Sequence, residues 1–343
     1  GPGQHALYGE TGDDWIYAGP GDDWISGGDG VDTVDYTLAM GPVTARTEIA
    51  NNTTGGSGYD SIVSVERIMG SSYSDTLWAF HVGHEAWGGL GDDILKGSGF
   101  GSSHLYGGAG NDTYEAWHSA NVAIEHAGGG IDLVIARGNF TLGANVENLT
   151  LWLPNVFDPY AGAALPAAIP VDFHAVGNNL ANVITGNVGA NILTGAAGID
   201  TLTGGAGADT FRDTVSGLNG DIITAFGAGE RIVFSDATLA GFTFSLSGNM
   251  LTYAGGSLTL TNGVTGGTLV ASAAAGGGVQ LAIQVRNVAN DFDGDGHSDI
   301  LWQHANGTVT SWLGQADGMA GSTLAQTPPT GWHVSGPGHF NGA

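Results

Sequence analysis

The chain has 343 residues, 33 Asp plus Glu against 7 Lys plus Arg, a formal net charge of −26 and a pI of about 4.2. That balance excludes the clustered Lys/Arg footprint of a nucleic-acid binder and disfavours an anionic membrane surface, while 42% hydrophobic against 12% charged residues excludes a disordered acidic chain. There is no cysteine for a disulfide or a thiolate metal site. The 62 glycines imply many short strands joined by tight turns. So large a negative charge opposes a compact state unless cations cancel it.

Gly1-Pro2 reads as a protease-tag scar, no signal peptide opens the chain, and no apolar run is long enough for a transmembrane helix. Three nonapeptides follow in tandem at 9–17 (GETGDDWIY), 18–26 (AGPGDDWIS) and 27–35 (GGDGVDTVD). Position 4 is Gly12, Gly21 and Gly30, position 6 is Asp14, Asp23 and Asp32, and position 8 is Ile16, Ile25 and Val34. Residues 36–54 read as an inserted hairpin or loop. The frame returns at 55–63 with Asp60, 70–78 with Asp75, 88–96 with Gly91 and Asp93, 107–115 with Gly110 and Asp112, and 127–135 with Asp132. Residues 64–69 alternate as a half-buried strand does. Residues 140–153 read as a strand, and 153–175, with four prolines, as a loop. A second tandem array at 177–212 carries Asn182, Asn191, Asp200 and Asp209 at position 6.

Repeats of fixed short period mark a solenoid. The pattern G-G-x-G-x-D-x-U-x, with U a large apolar residue, resembles the RTX calcium-binding repeat, over roughly residues 8–135 and 177–212. The resemblance implies an all-β parallel β-roll. In it, glycines such as Gly12, Gly30, Gly91 and Gly110 let the backbone turn carbonyls toward a Ca2+ ion. The position-6 Asp adds a carboxylate, which suits a hard cation that takes six to eight oxygens. Positions 7–9 form a strand with position 8 inside. Each coil uses two nonapeptides, so repeats i and i+2 share an ion. Asp14 then pairs with Asp32, and Asp75, Asp93 and Asp112 line one side. Their alternates, with His84 and Ser103 at position 6, are degenerate, so calcium is expected on one edge of this middle section. Sites pairing Asp200 with Asn182 and Asp209 with Asn191 are expected to be half-built. The position-5 residues Asp13, Asp22 and Asp92 are expected to be outward surface charge.

Residues 221–226 and 230–234 resemble the strands that close the roll in serralysin-type C-terminal regions, and 242–260 alternates as antiparallel strands do. At 291–299 (DFDGDGHSD), Asp291, Asp293, Asp295 and Asp299 form a further calcium loop. It departs from the EF-hand pattern, with Trp302 at the twelfth position, and resembles an FG-GAP or VCBS repeat of a propeller blade. Residues 338–342 read as a second copy of that loop, cut short, the expected mark of an excised fragment. The expected organisation is thus a first roll section at 8–135, a spacer strand and loop at 136–176, a second section at 177–218, a β cap at 219–285 and a partial FG-GAP/VCBS-like repeat at 286–343.

No catalytic centre is expected. His81, His84 and Glu85 lack the H-E-x-x-H or H-x-x-E-H zinc spacing, and there is no G-x-S-x-G elbow. Trp15 and Trp24, both at outward position 7, are candidates for stacking on a glycan or a cell-surface protein. The resemblance implies a non-enzymatic module of a secreted bacterial protein that folds on calcium outside the cell and serves a structural or adhesive role. The alternatives are the C-terminal region of a secreted hydrolase and a polysaccharide-binding R-module.

Overall fold

The computed structural model describes residues 3–47, 54–56, 58–152, 172–264, 267–285, 300–304, 309–312 and 332–334. Every regular element there is a strand or bridge, and no helix is long and apolar enough to cross a membrane.

Short parallel strands alternate between two walls as the chain winds. On the first wall Ala6–Thr11 pairs with Trp24–Asp29, and on the second Trp15–Tyr17 pairs with Thr33–Asp35. Both pairings join residues 18 apart, as do Val183 to Thr201 and Ile192 to Thr210. Two nonapeptides per coil is therefore the rule. It follows from the length of the repeat, because nine residues make one three-residue strand and the turn that carries the chain to the opposite wall.

Position 8 points inward, so the aliphatics stack coil upon coil. Leu77, Leu95, Tyr114, Val134, Leu149, Ile184, Leu202 and Ile223 lie in register along one wall and are all fully buried. Position 7 faces out, and Ile94, Val122 and Val183 are exposed. The core is thus a single narrow seam, and each coil buries its side chains only against its neighbours.

The insertion adds a strand. Val43–Arg46 runs parallel to Thr76–Trp78 and forms a short antiparallel pair with Thr54–Gly55. Ser61–Val63, later in the chain, instead pairs with Trp24–Asp29. The segment expected as a spacer supplies Phe140–Thr141, Asn148–Leu151 and His174–Val176. Asn148–Leu151 pairs with both Leu133–Ala136 and Val183–Thr185 and so carries the first wall from the first array into the second, while Phe140–Thr141 and His174–Val176 begin a separate sheet on the second wall. The arrays therefore form one roll, and the longest sheet holds thirteen strands.

After residue 230 the pairing changes. Arg231–Phe234 is antiparallel to Val279–Val285, which in turn pairs with Gly267–Ala273. On the other wall Gly256–Leu260 runs parallel to Ile222–Thr224 and antiparallel to Met250–Tyr253. Ile300–His304 pairs antiparallel with both Val309–Trp312 and Trp332–Val334.

Candidate metal sites

Each turn delivers its position-6 side chain to the rim of a wall, just ahead of a strand. On the first wall the backbone N–H of Asp75 donates to Oδ1 of Asp93 at 2.7 Å, Asp93 N–H to Asp112 at 2.7 Å, and Asp112 N–H to Asp132 at 2.8 Å. Asp23 N–H donates likewise to Asp60, and Asp14 N–H to Asp32 on the second wall. One oxygen of each carboxylate is therefore spent on the coil before it. The other is not. Among the described residues, Oδ2 of Asp14, Asp23, Asp32, Asp93, Asp112, Asp132, Asp200, Asp209 and Asp221 is buried with no hydrogen-bond partner. A buried carboxylate oxygen without a donor is costly, and a bound cation would relieve that cost along both rims.

Main-chain oxygens converge on the same places. A Cβ built on Gly88 would lie 2.1 Å from Asp93 Oδ2 and 2.7 Å from the Gly107 carbonyl. On Gly27 it would meet Asp32 Oδ2 at 2.4 Å and the Ser64 carbonyl at 2.0 Å. The position-1 glycines thus leave a space that side-chain and main-chain oxygens face together. This donor set, all oxygen and mostly anionic, fits a hard cation. The position-4 glycines Gly12, Gly30, Gly91 and Gly110 have positive φ, and the carbonyls of Gly12 and Gly91 lie against Gly30 and Gly110 of the next coil.

The expected parity is present, with additions. Asp75, Asp93, Asp112 and Asp132 share one rim, which continues to Glu147, whose Oε2 accepts from Asp132 N–H at 2.9 Å. On the second wall Asp32 N–H donates to Glu66 Oε2 at 2.8 Å, and beyond Glu66 the rim carries His84, Ser103 and Asn121. Asp221 extends the first rim past Asp200. Glu66, Glu147 and Asp221 were missed because no nonapeptide frames them. Their signal is an acid two residues before a buried aliphatic, Ile68, Leu149 and Ile223.

Asp60 and Asp75 differ from the rest. Tyr36 donates its hydroxyl to Asp60 Oδ2 at 2.9 Å, and the backbone N–H of Ser71 donates to Asp75 Oδ2. Where position 6 is an amide, the amide itself does the work of a cation. Asn182 Nδ2 donates to the carbonyls of Val146 and Glu147, and Asn121 Nδ2 to that of Gly101. Asp13, Asp22 and Asp92 are exposed, as expected, but each also accepts the position-5 N–H of a later coil, from Val31, Tyr59 and Asn111. His84 is buried, and its Nδ1 is 2.7 Å from Thr47 Oγ1, a packing role rather than a zinc one. Asp291, Asp293, Asp295 and Asp299 lie outside the described residues.

Burial raises the rim carboxyls. Asp93 is pushed up to about 8, by burial first and then by the charges of Asp112, Asp75 and Asp92. Asp221 is pushed up to about 7, and Asp60, Asp132 and Asp200 to about 6, each mainly by burial. Without ions the folded chain therefore holds more protons than the unfolded chain between about pH 4 and pH 8, and its stability falls as pH rises through that window. Chelated protein is expected to show more β-sheet circular dichroism and a higher Tm near pH 5 than near pH 8. The reverse order would mean that these carboxyls are not the groups that strain the ion-free fold.

A family model described as the RTX calcium-binding nonapeptide repeat matches in 4 copies, over residues 7–36, 87–117 and 176–211. These stretches are RTX calcium-binding repeats. The RTX repeats lie on the two-walled parallel roll described above, and such repeats bind several Ca2+ ions. In a second comparison, 82 residues are 38% identical to endo-1,3-1,4-beta-glycanase ExsH of Rhizobium meliloti (strain 1021), covering 23% of this chain and 18% of the glycanase. The chain thus matches less than a fifth of that relative's length.

Proposed function

We propose that this chain is a calcium-triggered folding module of a secreted bacterial protein, exported unfolded and closed into a roll by extracellular calcium. The nine buried carboxylate oxygens without donors, set along the rims of both walls, carry this reading. In it, calcium is held by Asp14 and Asp32, by Asp23 and Asp60, and by Asp75, Asp93, Asp112 and Asp132 along one rim. Asp200, Asp209 and Asp221 serve the second array, with carbonyls from the glycine turns completing each shell. Calcium supplies charge neutralisation and cross-coil bridging, and its binding energy becomes folding energy. The role is structural or adhesive rather than enzymatic. The antiparallel strands after residue 230 close the roll's end as in serralysin-type regions. Asp291, Asp293, Asp295 and Asp299 supply a further loop, of FG-GAP or VCBS kind.

The test is equilibrium dialysis against radioactive calcium. Asp93→Asn keeps an acceptor for Asp75 N–H but removes the charge, and is expected to bind fewer ions and to melt several degrees lower in calcium. Asp13→Asn, outside the rim, should bind the parent's number and stay within about 0.5 kcal/mol of its stability. Equal stoichiometry in both variants would remove the position-6 carboxylates from the ligand set.

A second reading, contact with a polysaccharide, is favoured by one surface. Trp15 and Trp24 are both exposed and, as repeats of successive half-coils, sit on opposite walls. Trp15 lines a concavity of about 440 Å³ with Met69, Trp87, Tyr106, Arg67 and Glu85. Trp87 and Tyr106 stack at 3.7 Å, and Arg67 Nε is 3.1 Å from Glu85 Oε2. Aromatic faces beside charged hydrogen-bonding groups suit sugar rings, and the glycanase relative's name points to a 1,3-1,4-β-glycan. Affinity electrophoresis through that glycan should retard the parent, and Trp15→Ala should be retarded several-fold less. Equal mobility of both would remove this reading and leave the calcium reading intact.

A further inference from the structure

Between Asp112 and Asp132 the rim changes character. Thr113 pairs with Leu133, so this coil takes 20 residues where 18 is the rule. The two additional residues are Glu125 and His126, between the strand Val122–Ile124 and the turn that leads to Asp132. Glu125 folds its side chain into the rim instead of outward, and only 7% of the residue is exposed. Tyr114, at an inward position, donates its hydroxyl to Glu125 Oε1, and His126 N–H donates to Oε2 at 3.1 Å. Ligand oxygens of Asp112, Glu125 and Asp132 all lie within 4.8 Å of one another, and all three residues are buried. A Cβ on Gly107 would meet Glu125 Oε1, Tyr114 Oη and Asp112 Oδ2 at 2.1, 2.2 and 2.4 Å.

The cluster is not merely acidic. Asp112 and Asp132 are 1% and 0% exposed, and Oδ2 of each has no donor. A salt bridge does not answer it, since none of the ion pairs among the described residues involves these three. Elsewhere on this rim a coil offers one carboxylate per turn and completes the shell with carbonyls. Here an inserted residue brings a third carboxylate to a place where the repeat has none.

We propose that Glu125 converts the nonapeptide site between Asp112 and Asp132 into a three-carboxylate calcium site that is the tightest in the roll and fills first. The proposal rests on the calcium reading above. Affinity among calcium sites follows the number of charged ligands and the rigidity of the cage, and this site leads in charge while Tyr114 and His126 hold Glu125 in place.

The test is a calcium titration of the full chain in competition with a chromophoric chelator, with circular dichroism at saturating calcium as the check on folding. The parent should show one tight ion followed by a weaker class. Glu125→Gln should weaken the first ion at least about tenfold and leave the weaker class in place. Glu125→Asp, which keeps the charge but shortens the reach, should weaken it less, and serves as the probe if the glutamine variant does not fold. Asp13→Asn, outside the rim, should leave the first ion unchanged. A parent with a single uniform class, or first-ion binding unchanged in both Glu125 variants, overturns the proposal while the nonapeptide sites stand. A parent that binds no calcium overturns the calcium reading itself.

Discussion

Chelated at neutral pH, the chain is expected to lose most of its β-sheet circular dichroism. The signal should return cooperatively as calcium rises into the high-micromolar to millimolar range, roughly that of extracellular sites. The argument is one of magnitudes. A domain is stable by about 5–15 kcal/mol. One site that binds only the folded state adds about 2.7 kcal/mol when the free ion is a hundredfold above its Kd. Nine donorless carboxylate oxygens stand at the rims, so a handful of occupied sites supplies as much free energy as the whole fold has to spare. Without ions the formal charge of −26 is not cancelled by cations, and its repulsion is expected to outweigh a core that is a single seam. A β signal that survives exhaustive chelation and ignores added calcium would show that the rims are not structural ligands.

The second large effect is steric. Gly110 has φ +141°, and a Cβ there would sit 1.9 Å from the carbonyl oxygen of Gly91 one coil away. The Gly91 carbonyl has little room to move, because the N–H of its own peptide, that of Asp92, donates to Ser74 Oγ at 3.1 Å and the Gly91 N–H donates to the Ala109 carbonyl at 2.8 Å. Gly110→Ala must spread two coils at the rim that carries Asp93 and Asp112. A loss of about 3 kcal/mol or more is expected in saturating calcium, together with a shift of the calcium midpoint to higher concentration. Gly99, whose built Cβ meets nothing within 4 Å and whose φ is not positive, is the control, and Gly99→Ala should stay within about 0.5 kcal/mol. Thermal melts of the two variants side by side decide it. Equal melting temperatures would mean that the coils are not stacked as tightly as described.

The roll was legible because its period is short and its signals are local. A carboxylate at position 6 and an aliphatic at position 8 lie two residues apart, and that spacing alone places Asp93 on a rim and Leu95 in the core. The same local rule, extended to glutamate, would have found Glu66 and Glu147. Two things were beyond such a rule. Frame and parity already put Trp15 and Trp24 on opposite walls, but they do not say that Trp15 shares a concavity with Trp87 and Tyr106, from coils far along the chain. Glu125 carries no repeat signal, because it belongs to an insertion. Its place beside Asp112 and Asp132 follows from how a longer turn folds back, which only the three-dimensional arrangement fixes. The amide side chains of Asn121 and Asn182 were similarly opaque. At position 6 they resemble weakened ligands, but their N–H groups occupy the carbonyls that a ligand would need open.

The thirteen-stranded sheet has one more consequence, a mechanical one. At about 4.8 Å per strand it is a rod roughly 60 Å long, and its stiffness comes from bonds that run along its axis from coil to coil. If the roll folds on calcium as proposed, the ion holds its two ends at a set distance and orientation, and its removal leaves the same residues a charged, flexible tether. On that reading calcium concentration sets a reach, and anything borne at either end is either held out at a fixed span or left on a slack line.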